Sequence, residues 1–368
     1  MNLTSDHRIV MTLDAGGTNF VFNAIQSGEE ILEPIRIKAK GADLEEVLTK
    51  IIDGFNKVLE LLPGKPSAIS FCFPGPADYP RGIIGDLENL PTFRGGVALK
   101  DMLEEKFGIP VFINNDGDLF AYGEAIGGIL PEINAKLQAA GNPKKYSNLF
   151  GVTFGTGFGG GIVNNGQLFI GDNSAGGEVN RMRNRLYSET SAEDSTAIRG
   201  VRRVYAREAG IAFEDAPNPK EIQDIILGTF QGNRQAALKA WEEMAVVAGD
   251  TLANAITLID GIIVIGGGLA GAHPVFLQRL VDEMNTSFTS LDGHSVPRLE
   301  ISVLNLENPA ELATFLENKS IEIKVPFSNK VVNYNPTRYI GVGVSRLGTS
   351  KAVSVGAYAY ALAELEKI

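Results

Sequence analysis

The chain opens on a short apolar run, Arg8-Ile-Val-Met-Thr-Leu13, which breaks at Asp14-Ala-Gly-Gly-Thr-Asn19 and resumes as Phe20-Val-Phe-Asn-Ala-Ile25. Apolar, partly β-branched runs on either side of a glycine pair predict strand, tight turn, strand. From Asp43 the period lengthens. Leu44, Val47, Leu48, Ile51, Ile52, Phe55, Val58, Leu59 and Leu62 recur at spacings of three and four, which predicts an amphipathic helix halted by Pro63-Gly64. Ala68 to Phe73 reads as another strand, closed by Pro74-Gly75-Pro76. A helix near Lys100–Phe107 follows, then a strand over 110–113 that ends in Asn114-Asn115-Asp116, then a helix from about Leu119 to Ile126. Strands alternating with helices predict an α/β domain on a parallel or mixed sheet.

A polar stretch over 141–147 marks a boundary, and beyond it the opening pattern returns. Asn148 to Phe154 is a strand, Gly155-Thr-Gly-Phe-Gly-Gly-Gly161 a glycine turn, and Ile162-Val163 starts another strand. The two strand–turn–strand openings lie about 140 residues apart, a sign of internal duplication and not of a short repeat. Further on, the pattern predicts a helix around 239–258, a strand Gly261–Ile265 running into Gly266-Gly267-Gly268, and a helix near 274–285. Two or three β-like runs occupy 300–334, and an Ala-rich helix spans about Ala352 to Leu365.

Composition narrows the options. Of 368 residues, 44% are hydrophobic and 21% charged, which excludes wholesale disorder, and the length favours two or three domains. The net charge of −11 argues against general nucleic-acid binding, although backbone amides and a metal ion can hold a small anion at any net charge. A single cysteine, Cys72, excludes an internal disulfide framework and a multi-cysteine zinc site. The first ten residues are too short and polar for a signal peptide, and no apolar run reaches the ~18 residues that span a bilayer. No membrane association is expected, and a cytoplasmic location is.

The glycine turns carry the chemistry. Gly155-Thr-Gly157-Phe-Gly-Gly160 fits G-x-G-x-x-G, but a strand follows it where a dinucleotide site needs a helix, and no P-loop motif is present. Glycine lets backbone amides approach phosphate oxygens, and threonine hydroxyls add donors. Asp14 would repel bare phosphate, but suits a Mg²⁺ held between them through water. Tight hairpins need glycine for its own sake, so one such turn says little; two opening similar halves, one with an Asp, point to a polyphosphate. Asp116, at a strand end, is the candidate base for a substrate hydroxyl that Asn115 orients, with helix capping as its alternative. Glu124 reads as structural.

At these residues the chain resembles the ROK family of sugar kinases, in the actin/hexokinase-like superfamily. Asp14-Ala-Gly-Gly-Thr-Asn19 is similar to the family's first phosphate loop, Phe73-Pro-Gly-Pro76 with Gly82-Ile83-Ile84 to its sugar-side loop, and Asn114-Asn-Asp116 with Gly123-Glu124 to its catalytic segment. Gly155-Thr-Gly157 resembles the second phosphate loop, Gly177-Glu178 the start of the sugar and metal segment, and Asp250–Asn254 with Ile263–Gly268 the adenosine side. The resemblance implies a two-domain actin-like (ribonuclease H-like) ATPase fold with a cleft between the domains. It divides the chain into 1–126 plus 352–368 and 127–351, with an insertion near 306–338. The implied activity is ATP-dependent phosphorylation of a hexose or N-acetylhexosamine at the 6-hydroxyl. Asp116 would be the base, and Gly75, Asn115, Asp116, Glu178 and Glu189 would bind sugar. Asp14, Gly16, Gly17, Thr18, Asn19, Gly155, Thr156, Gly157, Gly267 and Gly268 would hold ATP, with Asp14 meeting Mg²⁺ through water.

Two departures qualify the resemblance. The family's histidine after Gly-Glu is replaced by Arg181, and its cysteine-rich zinc loop is missing. No zinc is therefore expected, and Arg181 or Arg183, paired with carboxylates, is expected to order the loop instead. Because the loop is shortened, Glu193 rivals Glu189 as the second sugar-binding glutamate. A surface hairpin or subunit contact is expected of the insertion, and a homodimer is a family-level expectation. Fructokinase or another sugar kinase is the alternative activity. A regulator is disfavoured because only 13 residues precede Asp14, too few for a helix-turn-helix, and a non-catalytic sugar binder because Asp14, Asp116 and both turns are kept.

Overall fold

The computed structural model describes residues 3–15, 19–86 and 91–368. Its contacts resolve two compact units, one of residues 1–128, 167–177 and 347–368, the other of 129–166 and 178–346. Segment 167–177, which the sequence reading leaves with the second half, clusters with the first.

In the first unit the strands Ile9–Ala15, Pro66–Cys72 and Val111–Asn114 lie parallel in that order, and Asn19–Gln26 runs antiparallel to the first of them. On its far side Asn19–Gln26 carries Glu29–Glu30 and Ile35–Lys38. The predicted helix covers one face as Leu44–Leu61, started by the Asp43 carboxylate accepting from Glu46 N at 2.9 Å. Such a cap contributes about 1 kcal/mol. The core beneath it is aromatic. Phe22 meets Phe55 at 5.1 Å between ring centroids, Phe55 meets Phe71 at 6.0 Å, and Phe73 meets Phe93 at 5.3 Å. Each ring is fully buried, which is worth about 1.5–3 kcal/mol relative to exposure.

The helices Asp116–Gly127 and Thr349–Leu365 pack together at backbone contact. A Cβ on Gly123 would sit 1.9 Å from Ala352 O, and one on Gly356 would sit 1.9 Å from Leu119 O. Neither oxygen can withdraw without breaking its helix, so only glycine fits at these two positions. Glu124 is fully buried beside this seam and accepts from Leu347 N at 3.1 Å, the structural role read from the sequence.

The second unit repeats the plan. Phe158–Asn164 pairs antiparallel with Leu149–Phe154, beside which Ile262–Gly266, Tyr339–Val344 and Ser302–Asn305 follow in parallel. A glycine hairpin opening each sheet, followed by parallel strands, is the duplication that the two turn motifs suggested. Trp241, on helix Arg234–Ile259, stacks on Phe276 of helix His273–Met284 at 5.7 Å and anchors the core. Four helices of this unit, Ile129–Ala139, Ile198–Ala209, Pro219–Leu227 and Pro309–Leu316, are not expected from the sequence pattern. Among the described residues no helix is long and apolar enough to cross a membrane.

The glycine seam is testable. Gly356→Val should lower stability by about 3 kcal/mol or prevent folding, read as a fall in the urea midpoint. Gly271→Ala, where an added Cβ meets nothing within 4 Å, should stay within about 0.5 kcal/mol of the parent.

Candidate active site

The first unit places its chemistry where parallel strands end. Asp14 is in register with Cys72, and Cys72 with Asn114; on the other side Asp14 pairs with Val21, and Val21 with Arg36. Residues on one such row share a face of the sheet. Asp14, Cys72 and Arg36 therefore line a common cavity of about 390 Å³, together with Asp116 and with Thr349 and Ser350 of the last helix. Ile35–Lys38 alternates, so Lys38, paired with Asn19, lies on the same face as Arg36. Two cations thus flank the strand that leads out of the first glycine turn. Gly16, Gly17 and Thr18, the turn itself, lie outside the described residues, and Asn19 is the first described residue beyond it.

The electrostatics of this cavity are those of a cation site. Asp14 is exposed as a residue, yet protein crowds its carboxylate, and burial, then the negative charge of Asp116, raise its pKa, with Arg36 partly offsetting them. Two carboxylates that resist joint ionisation are stabilised by a positive charge between them. Burial likewise pushes up the Cys72 thiol, aided by Asp116 and Asp14, which leaves it protonated and unreactive. Among the described residues no group of three or more His, Cys, Asp and Glu could hold a metal by itself. A Mg²⁺ here would need water and phosphate oxygens to fill its octahedron, which is its habit beside polyphosphates.

The strand Val111–Asn114 hands the chain to the helix that carries Asp116. The cap of that helix is Asn115, whose Oδ1 accepts from Gly117 N at 2.7 Å; Asp116 is the first helical residue, with Oδ1 2.9 Å from the same amide. Asn115 thus takes the capping role weighed for Asp116, and the Asp116 side chain is exposed. The amide nitrogen of Asn115 lies 3.5 Å from the Tyr79 hydroxyl, which donates to Phe73 O at 2.9 Å. Tyr79 is buried, and its hydroxyl would lie 3.1 Å from a Cβ on Gly75. One phenol therefore ties the Phe73–Pro76 loop to Asn115, so Gly75, Asn115 and Asp116 come together. Sequence reasoning singles out neither Tyr79 nor Arg36.

In the second unit the turn at Gly155, Thr156 and Gly157 is closed by Gly155 N donating to Gly157 O at 2.9 Å. Next to it the chain turns at Gly267, whose φ of +85° and whose missing Cβ, 2.3 Å from Phe154 O if built, admit no other residue. Leu269 N then donates to Phe154 O at 2.9 Å, and a Cβ on Gly155 would come within 3.9 Å of Gly268 N. All five predicted phosphate-side residues of this unit are thus gathered at one point, with Thr156 exposed at the tip.

Glu193 belongs to this turn. Its Oε2 accepts from Phe158 N at 3.0 Å, and its Oε1 accepts from Arg199 at 2.8 Å. A carboxylate already bonded to an amide and a guanidinium is a brace for the hairpin. Glu178 and Glu189 are both exposed, in separate parts of the segment after Gly177.

The loop that carries Glu189 is organised by Asn184. This buried side chain accepts from Leu186 N at 2.9 Å and Tyr187 N at 3.1 Å, and donates to Ser195 Oγ at 2.8 Å, while its backbone N–H donates to Thr190 O at 3.0 Å. Arg185 pairs with the buried Glu283, and the Tyr187 hydroxyl donates to Glu243 at 2.9 Å. The expectation that Arg181 or Arg183 does this work is wrong: neither makes an ion pair among the described residues. An amide can meet four backbone and hydroxyl partners at once, and the arginine of this loop that finds a buried carboxylate is Arg185.

Comparison with known proteins bears on the family and the fold. A profile of the ROK family matches residues 10–312. Glucokinase of Thermotoga maritima is 26% identical over 300 residues, which cover 75% of this chain and 88% of that protein. N-acetyl-D-glucosamine kinase of Photobacterium profundum is 28% identical over 284 residues, which cover 72% and 86%. A crystal structure of glucokinase from Parabacteroides distasonis superposes with a TM-score of 0.92 at 52% identity, over 98% of this chain and 99% of that one. With the glycine hairpins, the strand-end carboxylates and the actin/hexokinase-like fold in hand, the chain belongs to the ROK family.

Proposed function

We propose that this protein is a sugar kinase that moves the γ-phosphoryl group of ATP to a hydroxyl, the 6-hydroxyl, of a hexose or N-acetylhexosamine. The observation that carries the reading is the pair Asp14 and Asp116, two carboxylates facing one cavity, one on strand Ile9–Ala15 and one just past strand Val111–Asn114. Asp116, exposed at the first turn of its helix, accepts the proton as the sugar oxygen bonds to phosphorus and the bond to ADP breaks. Asn115, its oxygen held by Gly117 N, has its amide N–H group left to point at that sugar oxygen, and Tyr79 limits its swing. Glu178 and Glu189 accept hydrogen bonds from further sugar hydroxyls.

Asp14 suits a hydrated Mg²⁺, which, when bound, neutralises phosphate oxygens and makes the phosphorus easier to attack. Amides at Thr156 and Gly157, in the turn that the Gly155 amide closes, and the open backbone at Gly267 and Gly268 serve as phosphate and nucleotide contacts, as do Gly16, Gly17, Thr18 and Asn19 by their place in the sequence. Arg36 and Lys38 add positive charge on the Asp14 side. The Asn184 network orders the Glu189 loop without zinc.

ADP release measured across aldoses, ketoses and N-acetylhexosamines should show turnover with glucose or an N-acetylated hexosamine; turnover confined to fructose would make it a fructokinase, and none at all would end the reading. Asp116→Asn should cut kcat by roughly 10³-fold or more while calorimetry finds sugar binding retained; near-normal turnover would remove Asp116 from the chemistry. For Asp14 the sign is fixed by its pKa, which lies above the ordinary 3.8 in the folded state. Its contribution to stability is complete below about pH 4 and lost as the pH rises through the folded value. Asp14→Asn should therefore melt above the parent at pH 7, and the gap should close towards pH 4.

A further inference from the structure

Segment 167–177, which clusters with the first unit, reaches the sugar-side loop through one side chain. Tyr79 N donates to Ser174 Oγ at 3.3 Å. The rest of Tyr79 is held as well. Its carbonyl accepts from Gly82 N at 3.0 Å, its hydroxyl donates to Phe73 O at 2.9 Å, and its ring is buried. Burial raises the pKa of the phenol, so the hydroxyl keeps the proton that it gives to Phe73 O. Asn115 Nδ2 reaches the same oxygen at 3.5 Å, and Oδ1 of that amide accepts from Gly117 N at 2.7 Å. A series of bonds thus runs from Ser174 through Tyr79 to Asn115, the neighbour of Asp116.

Ser174 sits in a backbone state that side chains avoid. Its φ is +52°, in the left-handed region, where a Cβ crowds the carbonyl oxygen that follows. The loop around it is closed: Gly176 N donates to Ile170 O at 2.9 Å, and a Cβ on Gly176 would lie 2.9 Å from the Ile170 carbonyl carbon. Glycine would take the φ of Ser174 freely. What serine adds there is a hydroxyl, and the partner of that hydroxyl is Tyr79. A strained residue kept for one side-chain bond marks that bond as functional.

We propose that Ser174 is a positioning residue of the sugar site: its hydroxyl fixes Tyr79 and, through Tyr79, the pose of the Phe73–Pro76 loop and of Asn115. The proposal rests on the sugar-kinase reading and adds to it a residue that acts only through another. Without its acceptor the Tyr79 amide would turn towards water, because a half-buried N–H left unpaired is costly. The phenol would move with it, and with the phenol the two groups it ties, Phe73 O and the Asn115 amide. Both belong to the sugar side of the site and neither to the glycine turns. The loss should therefore fall on the sugar and spare ATP.

Ser174→Gly tests the proposal, since glycine suits the φ and removes only the hydroxyl. The KM for sugar, and the sugar Kd found by calorimetry without nucleotide, should each rise about 10-fold. The KM for ATP and kcat should stay within about 2-fold of the parent, and the urea midpoint should not fall. Added to Tyr79→Phe, Ser174→Gly should weaken sugar by no more than about 2-fold further, because it acts through the phenol that is already gone. Hydrogen exchange at the Tyr79 amide needs no substrate and should quicken by roughly 10-fold in Ser174→Gly. An unchanged sugar Kd, unchanged exchange at Tyr79, a loss shared equally by sugar and ATP, or fully additive losses with Tyr79→Phe overturn the proposal and leave the kinase reading standing. A parent that turns over no sugar ends that reading instead, and the role of Ser174 with it.

Discussion

The repulsion between Asp14 and Asp116 is the constraint around which the first unit is arranged. Both acids face one cavity, which Glu30 also lines, and Arg36 and Lys38, on the outlying strand, put positive charge on that face of the sheet. Evolution of a core would remove such a pair, because each carboxylate raises the cost of ionising the other. Keeping it makes sense where a divalent ion and a polyphosphate arrive together, so that charge absent from the free protein is supplied on binding. The parallel register sets the geometry: Asp14, Cys72 and Asn114 lie on one row, and Asp116 follows two residues beyond it.

The second unit solves the opposite problem. Its glycine turn is exposed at Thr156 yet stiff. Stiffness comes from Glu193 beneath the hairpin and from the Gly267 turn against Phe154, both bonded to backbone. Groups held in this way act without reorganising when charge develops. The same economy governs the Asn184 loop, which one buried amide orders.

The strands, the glycine hairpins and the long amphipathic helices were legible because their signals are local: a period of two, a period near 3.6, a glycine where φ or space demands it. Asp14, Asn115 and Asp116 were legible for the same reason, as polar residues ending apolar runs. Arg36 was not, because its link to Asp14 runs through Val21 and needs the pairing register of three strands. Nor was Tyr79, whose meaning is a hydrogen bond to Phe73 O. The brace that Glu193 forms was hidden as well, because its partner amide, at Phe158, lies 35 residues away. Helix Ile129–Ala139 was missed because it follows Gly127-Gly128 with hardly a break, and Ile198–Ala209 because four arginines dilute its apolar stripe.

The seam at Gly123 and Gly356 also sets an order of events during folding. Glu124 and Leu347, which bond across it, are 223 residues apart in the chain. The helix that presents Asp116 therefore waits, without its packing partner, while the whole of the second unit is threaded between the two. Closing so long a loop adds little entropy beyond that of a shorter one, but it leaves an apolar helix surface uncovered until late. The placement of Asp116 is thus coupled to synthesis of helix Thr349–Leu365, and a nascent chain that has folded its first sheet still lacks that support.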